Sequence, residues 1–143
     1  MKILVLAVGR LKESHWREAQ DEYLKRLKRY APTEIKECKD NAALVAAVPE
    51  KAHLVLLDER GENWSSEELA RKLIAAEESH GGGAPLVFAV GGADGLPSEL
   101  KARSVRTLAF GKVTLPHRLA RIVLLEQVYR AYSILRGEPY HHA

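Results

Sequence analysis

The chain has one cysteine among 143 residues, which excludes any intrachain disulfide and suits a reducing compartment. Cys38 lies in a polar stretch, Glu37-Cys38-Lys39, with no histidine nearby. It reads as a thiol at a strand end rather than a nucleophile. Long apolar runs are missing as well: none reaches the roughly 18 residues that a membrane span needs, so no membrane association is expected. The opening MKILVLAVGRLKE has the look of a signal peptide. Its apolar stretch, Ile3 to Val8, is shorter than a typical h-region, and no A-x-A-like site follows. A buried first strand and a cytoplasmic location are the expectation. Paired carboxylates, a Ser-His-Asp set and metal-spaced cysteines are also absent, so no metal site is expected. There are no repeats, linkers or low-complexity stretches, which leaves one domain over residues 1–143.

What is present is ordinary for a globular chain. Apolar residues make up 46% and charged residues 29%, with a formal charge of +3. That balance permits a polyanionic partner without requiring one. Apolar runs alternate with helical periods. Ile3 to Val8, His53 to Asp58 and Leu86 to Val90 are continuous enough for buried strands, and Glu34 to Cys38 and Val105 to Leu108 for weaker ones. Ser14 can cap a helix whose Trp16, Ala19, Tyr23, Leu27 and Tyr30 share a face. The Lys25, Arg26, Lys28 and Arg29 cluster on it is either a solvated face or an RNA contact. Asn41 to Val48 is a short helix stopped by Pro49, and Glu59 to Trp64 a turn. Ser65 and Glu68 form a capping box for a helix over Glu67 to Ser79, which ends at Gly81-Gly82-Gly83. A short helix around Ser98 to Arg103 and a long one from about Arg118 to Arg136 complete the chain. Strands apolar on both faces, alternating with helices, predict an α/β fold with a mostly parallel sheet covered by helices.

In such sheets ligands bind at the carboxyl ends of the strands. Three segments fall there: Leu57 with Asp58, the loop Gly91-Gly92-Ala93-Asp94-Gly95, and Phe110 to His117. The glycine loop is either a plain turn or a place where backbone amides approach a ligand. It is not G-x-G-x-x-G, which disfavours a nucleotide-binding oxidoreductase. Gly111-Lys112 lacks the rest of a P-loop. The last helix is apolar around much of its circumference, through Leu119, Ile122, Leu125, Tyr129 and Tyr132 together with Val123, Leu124, Val128 and Leu135. It therefore packs on more than one side, against its own core or against a second subunit. The tail Pro139-Tyr140-His141-His142-Ala143 is rich in aromatic and imidazole groups. It lies beyond Gly137 and Pro139, so it is expected to add little to the core.

At these segments the chain resembles the bacterial RlmH family, the large-subunit ribosomal RNA pseudouridine N3-methyltransferases of the SPOUT class. The shared motifs are KILVLAVG with R and K after it, E-Y-L-K-R, L-L-D-E-R-G, F-A-V-G-G-A-D-G-L, T-L-P-H, and Y-R-A-Y-S-I-L-x-G-x-P-Y-H. The last three, in that order and spacing, are highly specific together. The resemblance implies a C-terminal trefoil knot and a homodimer packed through the knot regions. It implies S-adenosylmethionine held by Leu57, Gly91, Phe110, Gly111, Lys112, Val113, Thr114 and Leu115, with Gly92 close by. It also implies methyl transfer to N3 of a pseudouridine in 23S rRNA. A small chain without a separate RNA-binding domain has little surface for specific recognition, which favours the assembled ribosome over free RNA as substrate. His117, Tyr140 and His141 would then stand near the target base as the catalytic candidates. The family pattern continues Tyr-His-Arg-Glu, whereas His142 and Ala143 follow here, so a bidentate phosphate ligand is missing. The competing reading is a non-enzymatic RNA- or ribosome-binding protein on the same scaffold.

Overall fold

The computed structural model describes residues 1–142. In chain order the elements are β1 (Ile3–Val8), α1 (Ser14–Leu27), β2 (Thr33–Cys38), α2 (Asn41–Ala47), β3 (His53–Asn63) and α3 (Ser66–Glu68). There follow a π-helical turn π1 (Leu69–Ile74), α4 (Ala75–His80), β4 (Leu86–Val90), α5 (Glu99–Arg103), β5 (Ser104–Ala109) and α6 (His117–Leu135). The five strands form one sheet in the order β2-β1-β4-β3-β5, and every neighbouring pair is parallel. The α/β class with a parallel sheet is therefore as the sequence predicts.

The sheet holds because its middle strands are apolar on both faces, as a parallel sheet between two helical layers requires. Successive side chains of a strand point to opposite faces. On β4, Leu86, Phe88 and Val90 join Ile3, Val5 and Val55 beneath α1, π1 and α6. Val87 and Ala89 join Leu6, Leu54 and Leu56 beneath α2 and α5, which contribute Leu44 and Leu100. Each fully buried large side chain, such as Phe88, contributes roughly 1.5–3 kcal/mol. Cys38 is buried at the end of β2, where burial pushes its thiol pKa up, as expected of an inert strand-end thiol.

Several local expectations are corrected. Ser14 does not cap α1: the N-cap is Glu13, with no side-chain capping bond. Asp40 caps α2 by accepting from the Ala43 amide at 2.8 Å. The Ser65–Glu68 capping box is present, but the helix after it is interrupted. The Ala75 amide reaches back five residues to the Ala70 carbonyl, so Leu69 to Ile74 form a π turn. That turn holds Leu69, Ala70, Leu73 and Ile74 in the core, and its extra residue is not something a 3.6-residue pattern reveals.

The largest correction concerns Glu59 to Trp64. It is not a turn, because β3 runs on to Asn63 and pairs again with β5, Glu62 with Leu108 and Asn63 with Ala109, after an irregularity beyond Leu57. The strand crosses β5 closely at Gly61, where an added Cβ would lie 2.7 Å from the Thr107 carbonyl carbon. Only glycine permits this approach. Gly61→Ala should accordingly destabilise the fold by about 1–3 kcal/mol, the usual cost of overpacking, measured as a lower midpoint of urea denaturation. An unchanged midpoint would show that β5 yields freely at this point.

Candidate active site

The carboxyl ends of β4 and β5 and the irregular stretch of β3 from Leu57 to Arg60 surround a cleft of about 540 Å³. Leu57, Gly91, Gly92, Phe110, Val113, Thr114, Leu115 and His117 all line it. Gly111 and Lys112 do not; they are exposed on the outer side of the 110–116 loop. β4 delivers the chain directly into Gly91, and the loop then folds back so that the Gly95 amide donates to the Gly92 carbonyl at 3.1 Å. A Cβ on Gly91 would sit 2.8 Å from the Gly95 carbonyl carbon. The loop is thus closed tightly, with the Asn41 side-chain amide also donating to the Gly95 carbonyl at 3.3 Å, and the glycines allow that close approach of backbone to backbone.

Asp58, Glu59, Arg60 and Asp94 also line the cleft. Arg60 binds Asp58 through both side chain and backbone and holds that carboxyl below its ordinary range. The Thr114 hydroxyl donates to Glu59, fastening the 110–116 loop to β3 across the mouth. Sequence reading placed Glu59 and Arg60 in a turn and gave them no role. The Thr114 partner of Glu59 is 55 positions away, and no local pattern signals such a contact.

His117 is the first residue of α6 and is partly buried in the cleft wall. Burial, and then the Arg118 and Arg121 cations, lower its pKa from the ordinary histidine value of 6.5. The positive end of the helix dipole acts in the same direction. At neutral pH the imidazole is therefore uncharged, with a lone pair available to accept a proton.

Comparison with known proteins gives the family. The family model described as "Predicted SPOUT methyltransferase" matches residues 1–141. A protein named "Ribosomal RNA large subunit methyltransferase H" from Chromobacterium violaceum is 44% identical, with 99% of each chain covered. Proteins of the same name from Koribacter versatilis (45%, 99% of this chain and 98% of the relative) and Geobacter metallireducens (41%, the whole of both) are similar. The chain belongs to the SPOUT methyltransferase family, within the ribosomal RNA large subunit methyltransferase H group. A solved structure described as "Structural insights into the 2-OH methylation of C/U34 on tRNA" shares the fold. Its TM-score is 0.52 at 19% identity, over 93% of this chain and 92% of that one.

In this SPOUT methyltransferase the predicted catalytic residues do not converge within one chain. Tyr140 and His141 do not line the cleft that holds His117. They dock on the middle of α6 instead. The Tyr140 ring meets Tyr129 edge-on at 4.7 Å, and its hydroxyl donates to Glu126 Oε2 at 2.7 Å. His141 accepts from Arg130 Nη1 at 3.0 Å through Nδ1 and donates to Glu67 Oε1 at 2.7 Å through Nε2. Burial opposes ionisation of Glu126, but Arg130 and Tyr140 outweigh it and hold the carboxyl below its ordinary range. Burial and the Glu126 carboxylate push the Tyr140 phenol far above its ordinary range, so it stays protonated at neutral pH.

The tail therefore contributes more to the fold than the sequence suggested. Ending the chain at Pro139 removes an aromatic pair of about 0.5–1.5 kcal/mol and a hydrogen bond to a charged acceptor of about 1.5–3 kcal/mol. Stability at pH 7 should fall by about 2 kcal/mol, read from chemical denaturation. Because the folded Glu126 pKa is lowered, the tail's contribution is present above the ordinary carboxylate pKa near 4.5 and fades as pH falls below it. An equal loss at pH 7 and well below pH 4 would show that Glu126 has no part in the docking.

Proposed function

We propose that this chain methylates N3 of a pseudouridine in 23S rRNA of the assembled ribosome, with S-adenosylmethionine as methyl donor, in the cytoplasm. The observation that carries this reading is the single cleft lined both by the glycine-rich Gly91–Gly95 loop and by His117, whose pKa burial and neighbouring cations lower. The names of the near-full-length relatives support ribosomal RNA as the substrate class. The residues present suit the donor. About 540 Å³ is ample for a ligand of its size, the Gly91 cradle would be filled by any side chain, and Leu57 and Leu115 offer apolar walls for an adenine ring.

When bound, S-adenosylmethionine supplies an electrophilic methyl group on a cationic sulfur. The protein's part is alignment and proton management. Leu57, Gly91, Gly92, Phe110 and Val113 to Leu115 would hold the donor, and the Thr114–Glu59 bond keeps their loop in place. The N3 proton of the acceptor base has to leave, and His117 is the cleft residue with a free lone pair to take it. Tyr140 is not such a group, since its hydroxyl is committed to Glu126 and stays protonated. Gly111 and Lys112, facing outward, would act through backbone placement at most.

The same reading includes the family's trefoil knot in the segment that carries the Gly91–Gly95 and 110–116 loops. Support for it is that both loops meet at one cleft while α6, which follows them, packs back on π1 and α1. It also includes a homodimer through α6. Leu125 is wholly buried in the single chain and so cannot form that interface. Leu119, Val123 and Tyr129 on the outer side of α6 are only half-buried. His117 and Glu126 are nine residues apart, about 14 Å along a helix, too far for one chain's tail to serve its own His117. An antiparallel pairing of two α6 helices about Val123 sets His117 of one copy opposite the Tyr129 turn of the other. That would unite His117 with Tyr140 and His141 across the interface.

Titration calorimetry with S-adenosylmethionine tests the enzyme reading against a non-enzymatic RNA binder: saturable binding is expected, and its absence refutes the proposal. Gly91→Ala, which places a Cβ against Gly95, should weaken that binding at least tenfold, or about 1.4 kcal/mol. Unaltered affinity would take the loop out of the site. Val123→Glu should convert dimers to soluble monomers in sedimentation and abolish methylation of undermodified ribosomes. A wild-type chain that sediments as a monomer would remove the dimer and the shared site together.

A further inference from the structure

Arg121 has the largest fully buried side chain in the protein, 1% exposed, on the second turn of α6. Its Nη1 donates to Glu37 Oε2 at 2.6 Å and lies 3.5 Å from Gln20 Oε1, and its Nη2 donates to the Gly9 carbonyl at 3.0 Å. Glu37 Oε2 also accepts from the Leu11 amide at 3.0 Å. One guanidinium thus joins α6 to β2, to α1 and to the loop leaving β1. Its Nε has no partner. A buried ion pair with an orphaned donor is a poor stabiliser, and apolar side chains of equal volume commonly do as well or better.

The location of these bonds suggests another use. Gly9 follows Val8, whose side chain backs the cleft loop: a Cβ on Gly92 would stand 3.3 Å from Val8 Cγ1. His117 lies four residues before Arg121, one turn back on the same face of α6. The glycine wall of the cleft and the imidazole wall are thus both referenced to one fixed cation. We propose that Arg121 is a positioning residue for His117, clamping the start of α6 to the end of β1 and standing as a permanent positive charge one turn below the imidazole. This rests on the reading that His117 accepts the N3 proton.

The other charges near this pair are known. Arg118, in the same turn, faces Glu13 at 3.8 Å. Arg10 acts on Glu37 from the β1–α1 loop. Asp58, Glu59, Arg60 and Asp94 lie on the cleft side. Against His117 itself the cations prevail, since Arg118 and Arg121 both disfavour the imidazolium. Arg121 also keeps Glu37 ionised against the cost of burial, so the clamp persists through neutral pH.

The test uses the full chain with Arg121→Lys and Arg121→Met. The titration of the His117 ring is followed by NMR, S-adenosylmethionine affinity by calorimetry, and methylation by initial rates on undermodified ribosomes across pH. Arg121→Lys keeps the charge but cannot span Gly9 and Glu37 together. It should lower kcat about tenfold or more through misplacement, leaving donor affinity within about twofold and the His117 midpoint in place. Arg121→Met should in addition move the His117 midpoint and the acidic limb of kcat upward together. Unchanged kcat and midpoint in both variants, with only a lower melting temperature, would make the pair purely structural and overturn the proposal. If neither variant folds, Glu37→Gln keeps a hydrogen-bond acceptor while removing the negative charge. It should move the His117 midpoint downward, and an unmoved midpoint overturns the proposal. Full methylation by His117→Gln would refute the proton-acceptor reading instead, whereas the midpoint shifts report on Arg121 regardless.

Discussion

Because β4 pairs with β1 on one side and β3 on the other, and presents Phe88 to one helical layer and Ala89 to the second, its position is set from four directions. A strand so enclosed cannot shift register without exposing one of its apolar sets. Its carboxyl end is therefore firmly placed, and Gly91 stands there. The cleft follows from this constraint. β3 and β5 finish beside β4, their loops open at the same rim, and the glycine loop gains its shape from a rigid strand behind it.

The last helix links that rim to the rest of the chain. α6 starts at His117 in the cleft wall, buries Leu124, Leu125 and Val128 in the core, and receives the tail at Glu126 and Arg130. Its polar residues are not scattered. Arg121 faces the β1 and β2 ends, while Glu126 and Arg130 face Tyr140 and His141, so one element orders both His117 and the tail. A helix with so many obligations tolerates few substitutions, and the reason is geometric as much as energetic. A small rotation of α6 would move the imidazole, the guanidinium and the tail dock together.

The sequence made the strands legible because Leu-Val-Phe-Ala-Val and the Leu-Val-Leu-Leu after His53 are apolar at every position, as a sheet covered on both faces requires. Motif likeness placed Leu57, Gly91, Gly92, Phe110, Val113, Thr114, Leu115 and His117, and the structure brings all eight to one cleft. What escaped notice depends on contacts remote in sequence. The second pairing of β3 with β5 turns on Gly61 meeting the Thr107 backbone, and a lone glycine among polar residues looks like a turn. The π turn at Leu69 adds one residue to a helical period too gradually for a pattern to show it. Tyr140 and His141 looked detached because Gly137 and Pro139 end the helix, yet those two residues let the chain double back onto it.

Charge divides the cleft in a way that bears on how a nucleic acid would use it. Asp58, Glu59 and Asp94 stand in its lining, and the one arginine among them, Arg60, is occupied by Asp58. Behind His117 lie the cations Arg118 and Arg121. A phosphate approaching the lining meets carboxylates, so the RNA backbone is kept outside, where affinity drawn from phosphate contacts must originate. A base carries no charge and meets no such barrier. Under the proposed function the acidic lining and the shielded cations act as a filter. They admit the uncharged, reactive part of an unstacked nucleotide to His117, kept neutral first by burial and then by the two cations, and exclude its phosphates.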